Sequence, residues 1–208
     1  MLLTRFIFLC LFPYSYLMNT NKASISFVNP TSKILFSSDS KMYLTGKTNV
    51  GLYTCDCETP QVYIPLCFDF QNQKAVFQNI RMKISTSNIE CHRDLYNYNL
   101  KKGLESDKFP FISIDLLEAW KSDYSMFMNE TQWFDVIANT NLTIKGTKHN
   151  KQIVAQGIRI SPNKYRIKGS QTLSMKDYNV VVPQILFGLI QVQDNIVFHF
   201  DLSIEIIE

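Results

Sequence analysis

Apolar and polar residues alternate with a period of two along many segments of the chain. In the clearest of these segments, residues 196–206, every second position is apolar and most intervening positions are polar. Successive side chains of a β-strand point to opposite faces of a sheet, so this pattern predicts a half-buried antiparallel strand. Its apolar positions are Ile196, Phe198, Phe200, Leu202, Ile204 and Ile206.

The same pattern recurs elsewhere and predicts an all-β protein. Strand-like segments lie at residues 33–36, 42–46, 80–85, 112–116, 136–144, 152–160 and 165–175. Turn residues follow several of them, and Pro162-Asn163 predicts a hairpin tip. Gln193-Asp194-Asn195 likewise predicts a turn before the last strand.

One convincing stretch, from about His92 to Asp107, lacks this alternation and predicts a helix that Pro110 ends. A second, short turn or helix is predicted at residues 183–188. About eight strands without interleaved helices indicate an antiparallel sheet that either stacks as a sandwich or closes into a barrel. Periodicity does not distinguish these two architectures.

Length and composition fit one folded domain. The chain has 208 residues, of which 46% are apolar and 19% charged, and its formal net charge is +3. These values argue against a disordered chain, and a dedicated DNA-binding protein would be more basic. The glycines lack the spacing of a dinucleotide-binding turn, and Gly46-Lys47-Thr48 lacks the earlier glycine of a phosphate-binding loop.

The N-terminal residues have the pattern of a signal peptide. Arg5 precedes the apolar run 6–12, which is shorter than the about 20 residues that a membrane-spanning helix needs. We expect a signal peptide at about residues 1–20, a mature domain at 21–208, no stable membrane span, and a periplasmic or secreted protein. Cys10 should leave with the leader.

An even number of cysteines remains in the mature chain, which favours disulfides in an exported protein. Three pairings are open among Cys55, Cys57, Cys67 and Cys91. Cys55 and Cys57 lie on one face of a predicted strand, so a bond between them is disfavoured. A zinc site would need a second closely spaced pair of ligands, which Cys67 and Cys91 do not form.

Sequence motifs for catalysis are lacking. His92, His149 and His199 have no second histidine three or four residues away, and no Gly-x-Ser-x-Gly motif occurs. We expect no catalytic residue, no metal site and no enzymatic activity. Aromatic residues are numerous, but without a basic groove they do not predict nucleic-acid binding.

Four segments carry short motifs that occur in a fixed order along the chain, at residues 46–55, 100–114, 141–148 and 186–198. The second contains Phe109-Pro110-Phe111-Ile112, and the third contains the run Leu142-Thr143-Ile144-Lys145-Gly146. Together they resemble the signatures of the YceI-like family of secreted, lipocalin-like polyisoprenoid-binding proteins. The resemblance covers nearly the whole mature chain.

This resemblance implies an eight-stranded antiparallel lipocalin-like β-barrel with one helix between strands. The barrel would enclose an apolar tunnel for an isoprenoid chain, and the family suggests a homodimer. Cys55 and Cys91 look like the cysteines of a sub-group from Bacteroidota-type bacteria, in which an additional bridge is expected, whereas Cys57 and Cys67 fit less well. The apolar strand faces then predict the pocket residues Ile80, Met82, Ile112, Ile114, Leu142, Ile144, Tyr165, Ile167, Phe198 and Phe200.

We therefore expect a protein that sequesters or carries an isoprenoid-type or other long-chain amphiphilic lipid, without a cofactor of its own. Two alternatives stay open. One is a thiol-dependent redox or metal-binding envelope protein that uses Cys55, Cys57 and Cys91. The other is an envelope interaction module whose barrel is filled by its own side chains and which binds a protein partner.

Overall fold

A computed structural model describes residues 33–60, 64–65, 68–71, 73–123 and 131–207. The predicted signal peptide, Cys10 and Cys67 lie outside these residues. Within them the chain forms twelve strands, one α-helix and one short 3-10 helix. The strands are β1 (Lys33–Phe36), β2 (Lys41–Thr48), β3 (Gly51–Cys57), β4 (Ile64–Pro65), β5 (Phe68–Gln71), β6 (Lys74–Ser85), β7 (Phe111–Lys121), β8 (Phe134–Ile144), β9 (Thr147–Ser161), β10 (Lys164–Ser174), β11 (Gln184–Ile185) and β12 (Ile190–Ile207).

These strands form one antiparallel sheet whose main path runs β3-β2-β12-β10-β9-β8-β7-β6-β5. Strands β5 to β10 are therefore a meander, and β12 returns to join β10 to β2. Among the described residues, β3 and β5 are the ends of this path and are not paired with each other, so the sheet is not closed. The predicted lipocalin-like all-β fold with a helix between strands is confirmed, with an open sheet instead of a fully hydrogen-bonded barrel.

More strands are present than the eight predicted. The strands without a counterpart among the predicted strand-like segments are β3, β4, β5 and β11, and the last three of these are only two to four residues long. A segment of two to four residues has too few positions to show a period, which is why the sequence pattern does not count them reliably.

The last strand runs through the turn predicted at residues 193–195. The pairing of β12 with β2 shifts register between Val192 and Ile196, so these residues form an irregularity within one long strand. Asp194 stabilises this place, because its carboxylate accepts hydrogen bonds from Ser174 Oγ at 2.7 Å and from the Lys176 backbone N–H at 2.9 Å. The polar residues that indicated a turn therefore mark a bulge instead.

The helix α1 (Asp94–Leu104) confirms the helix predicted between His92 and Asp107. Asp94 lies in its first turn and Lys101 and Lys102 in its last, which suits the helix dipole. Glu105 adopts a left-handed conformation and ends the helix. No helix within the described residues is long and apolar enough to cross a membrane.

The core lies on the apolar face of the sheet. Met42, Leu44, Ile84, Leu142 and Leu202 are buried there, on alternate positions of their strands. The opposite face carries ion pairs between neighbouring strands, such as the two hydrogen bonds from Arg166 to Asp201. Arg166 holds the pKa of the Asp201 carboxyl below its usual value.

Candidate ligand cavity

An apolar cavity lies between the inner faces of the strands and α1. Its free volume is about 60 Å³. The whole space between the surrounding atoms, which includes a part open to solvent, is about 840 Å³. The wall consists of Leu44, Cys57, Ile84, Ile89, Leu100, Leu104, Ile112, Ile114, Leu142, Ile144, Lys151, Ile153, Gln171, Leu173, Ser174, Met175, Tyr178, Val180, Ile196 and Phe198. The cavity is therefore small, and the surface exposed in it is apolar.

Cross-strand pairs build this wall. Ile84 lies opposite Ile112, and Ile114 opposite Leu142, on strands β6, β7 and β8. Paired residues share one face of a sheet, so neighbouring strands contribute adjacent side chains. Leu173 and Ile196 make the same contribution from β10 and β12.

The helix covers one side of the cavity, and a covalent bond ties the segment before the helix to the sheet. Leu100 and Leu104 of α1 line the cavity. A disulfide joins Cys55 of β3 to Cys91, shortly before α1. Beside it, Asp56 and Glu90 exchange backbone hydrogen bonds of 2.8 and 2.9 Å. The position of α1 over the cavity is therefore fixed at its N-terminal end.

The structure brings together only part of the predicted pocket set. Ile112, Ile114, Leu142, Ile144 and Phe198 line the cavity. Ile80, Met82 and Phe200 belong to the surrounding apolar core and are not on the wall. Tyr165 and Ile167 are half-buried and also lie away from it.

Aromatic rings fill the inner face at two of these remaining positions, Phe200 and Ile167. A Cβ atom on Gly169 would lie 2.6 Å from the ring of Phe200, and one on Gly157 would lie 2.9 Å from the ring of Phe134. Each ring thus occupies the space left by a glycine. Ile167 pairs with Gly157, so it lies at this filled part of the sheet and not at the hollow part.

Several wall residues were not among the pocket residues predicted from the sequence. Leu44 and Ile84 belong to predicted strands and could have been included from their alternation. Met175 likewise has the apolar parity of the predicted strand at 165–175. Tyr178 and Val180 lie at the 3-10 helix (Lys176–Tyr178) and just after it, where no period marks an inner face, so only the tertiary fold places these two against the cavity.

Polar groups gather at the edge of the wall near the 3-10 helix. The Lys151 ammonium lies 3.7 Å from the Asp177 carboxylate, and His149 Nε2 lies 2.9 Å from the Asp177 carbonyl oxygen. Tyr178 is 1% exposed, and its hydroxyl has no hydrogen-bond partner among the described residues. Burial raises the pKa of Tyr178 to about 12, so its hydroxyl is a protonated donor at neutral pH.

The cysteines divide into bonded and free. Cys55 and Cys91 form the disulfide, and Cys57 is a free, buried thiol on the cavity wall. Burial raises the pKa of the Cys57 thiol to about 12, with a smaller contribution from Asp56. Within the described residues, no group of three or more potential ligands could hold a metal ion.

No protein-family model matches the chain, and no curated protein does. Solved structures do resemble it. Burkholderia cenocepacia BcnA is 15% identical, with a TM-score of 0.58 over 79% of this chain and 95% of that one. A polyisoprenoid-binding domain from Saccharophagus degradans, implicated in plant cell wall breakdown, is 10% identical, with a TM-score of 0.60 over 85% and 99%.

A Campylobacter jejuni YceI protein is 15% identical over 65% of this chain and 77% of that one, with a TM-score of 0.44. The fold comparison rests on the two structures with TM-scores above 0.5, which match over 95% and 99% of their own chains. Together with the architecture of the sheet, they show that the chain has the YceI-like fold expected from its sequence.

Proposed function

We propose that the protein binds an isoprenoid-type or other long-chain amphiphilic lipid in this cavity and thereby sequesters or carries it. The observation that carries the proposal is the apolar wall, to which strands β2, β6 to β10 and β12 and the helix α1 all contribute. Removing apolar ligand surface from water contributes about 25 cal/mol per Å². The polyisoprenoid-binding domain with a similar fold supports the same ligand class.

Ligand binding in this proposal requires the cavity to widen. A free volume of about 60 Å³ is small beside the several hundred Å³ of a typical ligand pocket. Leu100 and Leu104 belong to α1, which is packed on the sheet and is not one of its strands, so movement of α1 is the simplest way to enlarge the space. The bound lipid then takes the place of contacts between α1 and the strands.

This role is one of binding and not of catalysis, and it needs no cofactor beyond the bound lipid. The Cys55–Cys91 bridge supports an oxidising location such as the periplasm or the exterior of the cell. The redox or metal alternative is less favoured, because Cys55 and Cys91 are bonded to each other and Cys57 is a buried thiol of raised pKa. A homodimer stays part of the proposal and is checked by the native mass.

The test is native mass spectrometry of protein purified without detergent, followed by organic extraction. We expect a single polyprenyl or quinone species bound to the folded protein. An empty protein with reactive thiols or metal would favour the redox or metal alternative. An empty, disulfide-bonded protein would favour the interaction module.

A matched pair of variants connects binding with the wall. Ile114→Gln puts a polar group in the cavity, whereas Ile160→Gln makes the same change at a position that is 62% exposed. We expect the first to reduce ligand content at least about tenfold per folded protein, and the second to leave it unchanged. Circular dichroism measures folding, and Ile112→Phe, which narrows the cavity but stays apolar, replaces Ile114→Gln if that variant does not fold.

A further inference from the structure

Two turns expose large apolar side chains at the same end of the molecule. Val50 and Leu52, at the β2–β3 turn, are 66% and 75% exposed. Leu186, Phe187 and Leu189 lie in the β11–β12 turn, where Phe187 is fully exposed and Leu189 is 74% exposed. We call these five side chains the apolar tip. Contiguous exposed apolar residues of this size mark interaction surfaces.

Hydrogen bonds hold the two turns side by side. Asn49 donates from its backbone N–H to the Gln191 carbonyl at 3.1 Å and from its amide to the Leu189 carbonyl at 2.9 Å. Its amide oxygen accepts from the Gln191 N–H at 2.9 Å. The apolar tip is therefore one surface built from two distant parts of the chain.

The backbone presents the tip at an energetic cost. Leu186 and Phe187 both have positive φ angles, of 52° and 57°, in the left-handed region that large side chains rarely adopt. A hydrogen bond from the Leu189 N–H to the Leu186 carbonyl closes the turn in this conformation. Backbone strain at a residue whose aromatic ring is exposed to solvent is typical of functional sites.

A second, smaller cavity shares residues with the wall of the ligand cavity and borders the segments that carry the tip. A smaller cavity behind the tip is lined by Val181, Ile185, Val192 and Tyr53, and Val181 is 71% exposed. Leu100, Met175 and Val180 line both this cavity and the main one. A hydrocarbon chain that moves between the tip and the main cavity would meet mostly apolar side chains on the wall of the smaller cavity, which also includes Asn99.

Two exposed lysines lie near the tip. Residues 48–52 and 180–193 contain no charged side chain. Lys47 is exposed and pairs across the strands with Leu52. Lys102 is exposed in the last turn of α1, next to Gly103, where an added Cβ would lie 3.4 Å from the Val181 carbonyl oxygen. Glu105, the nearest acidic residue after Lys102 in the chain, is paired with Lys145 at 2.7 Å. Asp194, which follows the uncharged segment 180–193, accepts hydrogen bonds from Ser174 and from the Lys176 backbone N–H.

We propose that the apolar tip docks on an anionic phospholipid bilayer and that the amphiphile passes there between the membrane and the cavity; the transfer step rests on the proposed function, whereas docking does not. A projecting apolar tip suits a soft bilayer that closes around it. Lysines near the surface add attraction to anionic headgroups. A protein partner would instead need a pocket that matches the tip.

The test is flotation with vesicles of phosphatidylcholine alone and of phosphatidylcholine with phosphatidylglycerol. We expect the protein to float with the anionic vesicles, and Phe187→Ser combined with Leu189→Ser to lower the bound fraction at least about tenfold. The control, Val154→Ser with Ile160→Ser, removes two side chains that are 61% and 62% exposed elsewhere and should float like the unaltered protein. Lys47→Glu should weaken binding to the anionic vesicles only.

Unchanged flotation of the tip variant would overturn the proposal, as would failure of the unaltered protein to bind either vesicle. A dimer in solution that the tip substitutions dissociate would overturn it in favour of self-association. Phe187→Trp provides a second measurement, and its fluorescence should shift to shorter wavelength with anionic vesicles.

Ligand content separates this proposal from the proposed function. Tip variants loaded with lipid in solution should keep it, while transfer from vesicles slows at least about tenfold. Vesicle binding by a protein that never holds lipid would leave docking intact and contradict the proposed function and the transfer step.

Discussion

Cysteine is a reactive type of residue, but the buried position of Cys57 makes its thiol unreactive. It lies two residues after the bonded Cys55 on β3, so both sulfurs are on the same face of the strand. Cys91 takes the bond to Cys55, and Cys57 faces the cavity instead. Reactivity requires the thiolate, which the buried environment disfavours.

We predict slow alkylation of Cys57 in the folded protein. Because its pKa is raised to about 12, the thiolate fraction at pH 8 is small, and iodoacetamide should react at least about a hundredfold more slowly than in guanidinium. Peptide mass spectrometry assigns the label to Cys57 separately from the other cysteines. Folded-state labelling as fast as in the denatured protein would show that the thiol is accessible.

Gly46 is a second position whose role depends on a neighbour. It pairs with Tyr53 on β3, and an added Cβ would lie 2.3 Å from the ring of Tyr53. The absent side chain therefore lets this ring lie flat against β2, behind the apolar tip. Burial, with a smaller contribution from Tyr96, raises the pKa of Tyr53 to about 12.

We predict that Gly46→Ala lowers the free energy of unfolding by about 1–3 kcal/mol, because the Tyr53 ring must leave its place. In a Tyr53→Ala background the same change should cost less than 1 kcal/mol, since the ring is gone. Urea unfolding of the four proteins in the cycle measures the coupling. Equal costs in both backgrounds would mean that the ring is not the obstacle.

At the scale of elements, α1 is tied to the sheet by a covalent bond near its N-terminal end. Leu104 is the one buried residue of this helix. The Cys55–Cys91 bridge and the adjacent Asp56–Glu90 backbone pair hold its N-terminal end to β3. Because α1 covers the cavity, the bridge also influences how easily the cavity opens.

We predict that Cys55→Ala with Cys91→Ala lowers the free energy of unfolding by about 4 kcal/mol, from closure of a loop with a sequence separation of 36. Hydrogen exchange of α1 should rise more than that of β8 and β9, which lie in the middle of the sheet. Cys57→Ser is the control, since it alters a cysteine without touching the bridge. Equal exchange of α1 in the bridged and unbridged proteins would contradict the anchoring role.

At the scale of the whole molecule, the two faces of the sheet separate two kinds of chemistry. The inner face holds the core and the cavity, and the outer face carries paired charges such as Arg81 with Asp115. The ion pairs between strands place opposite charges together on the outer face, while the interior stays apolar. The apolar tip is the exception, and it lies where the smaller cavity approaches the surface.

The sequence by itself determined the faces of the strands and the place of the helix. A period of two is a local property, so the parity of Ile112, Ile114, Leu142 and Phe198 was sufficient to direct them inward. The segment around Leu100 lacked this period and proved to be α1. Resemblance of ordered motifs then predicted the YceI-like fold, which the architecture confirmed.

Only the tertiary structure decided where the inner face is hollow. Phe200 and Ile167 have the same inward parity as the wall residues, yet they lie where rings meet Gly169 and Gly157 and leave no space. A cavity is the volume that side chains from distant strands leave unfilled. Its place depends on the sizes and positions of all these side chains together, which no local sequence pattern contains. The bridge to Cys91, the bulge at residues 193–195 and the joining of two turns at Asn49 depend in the same way on contacts between distant parts of the chain.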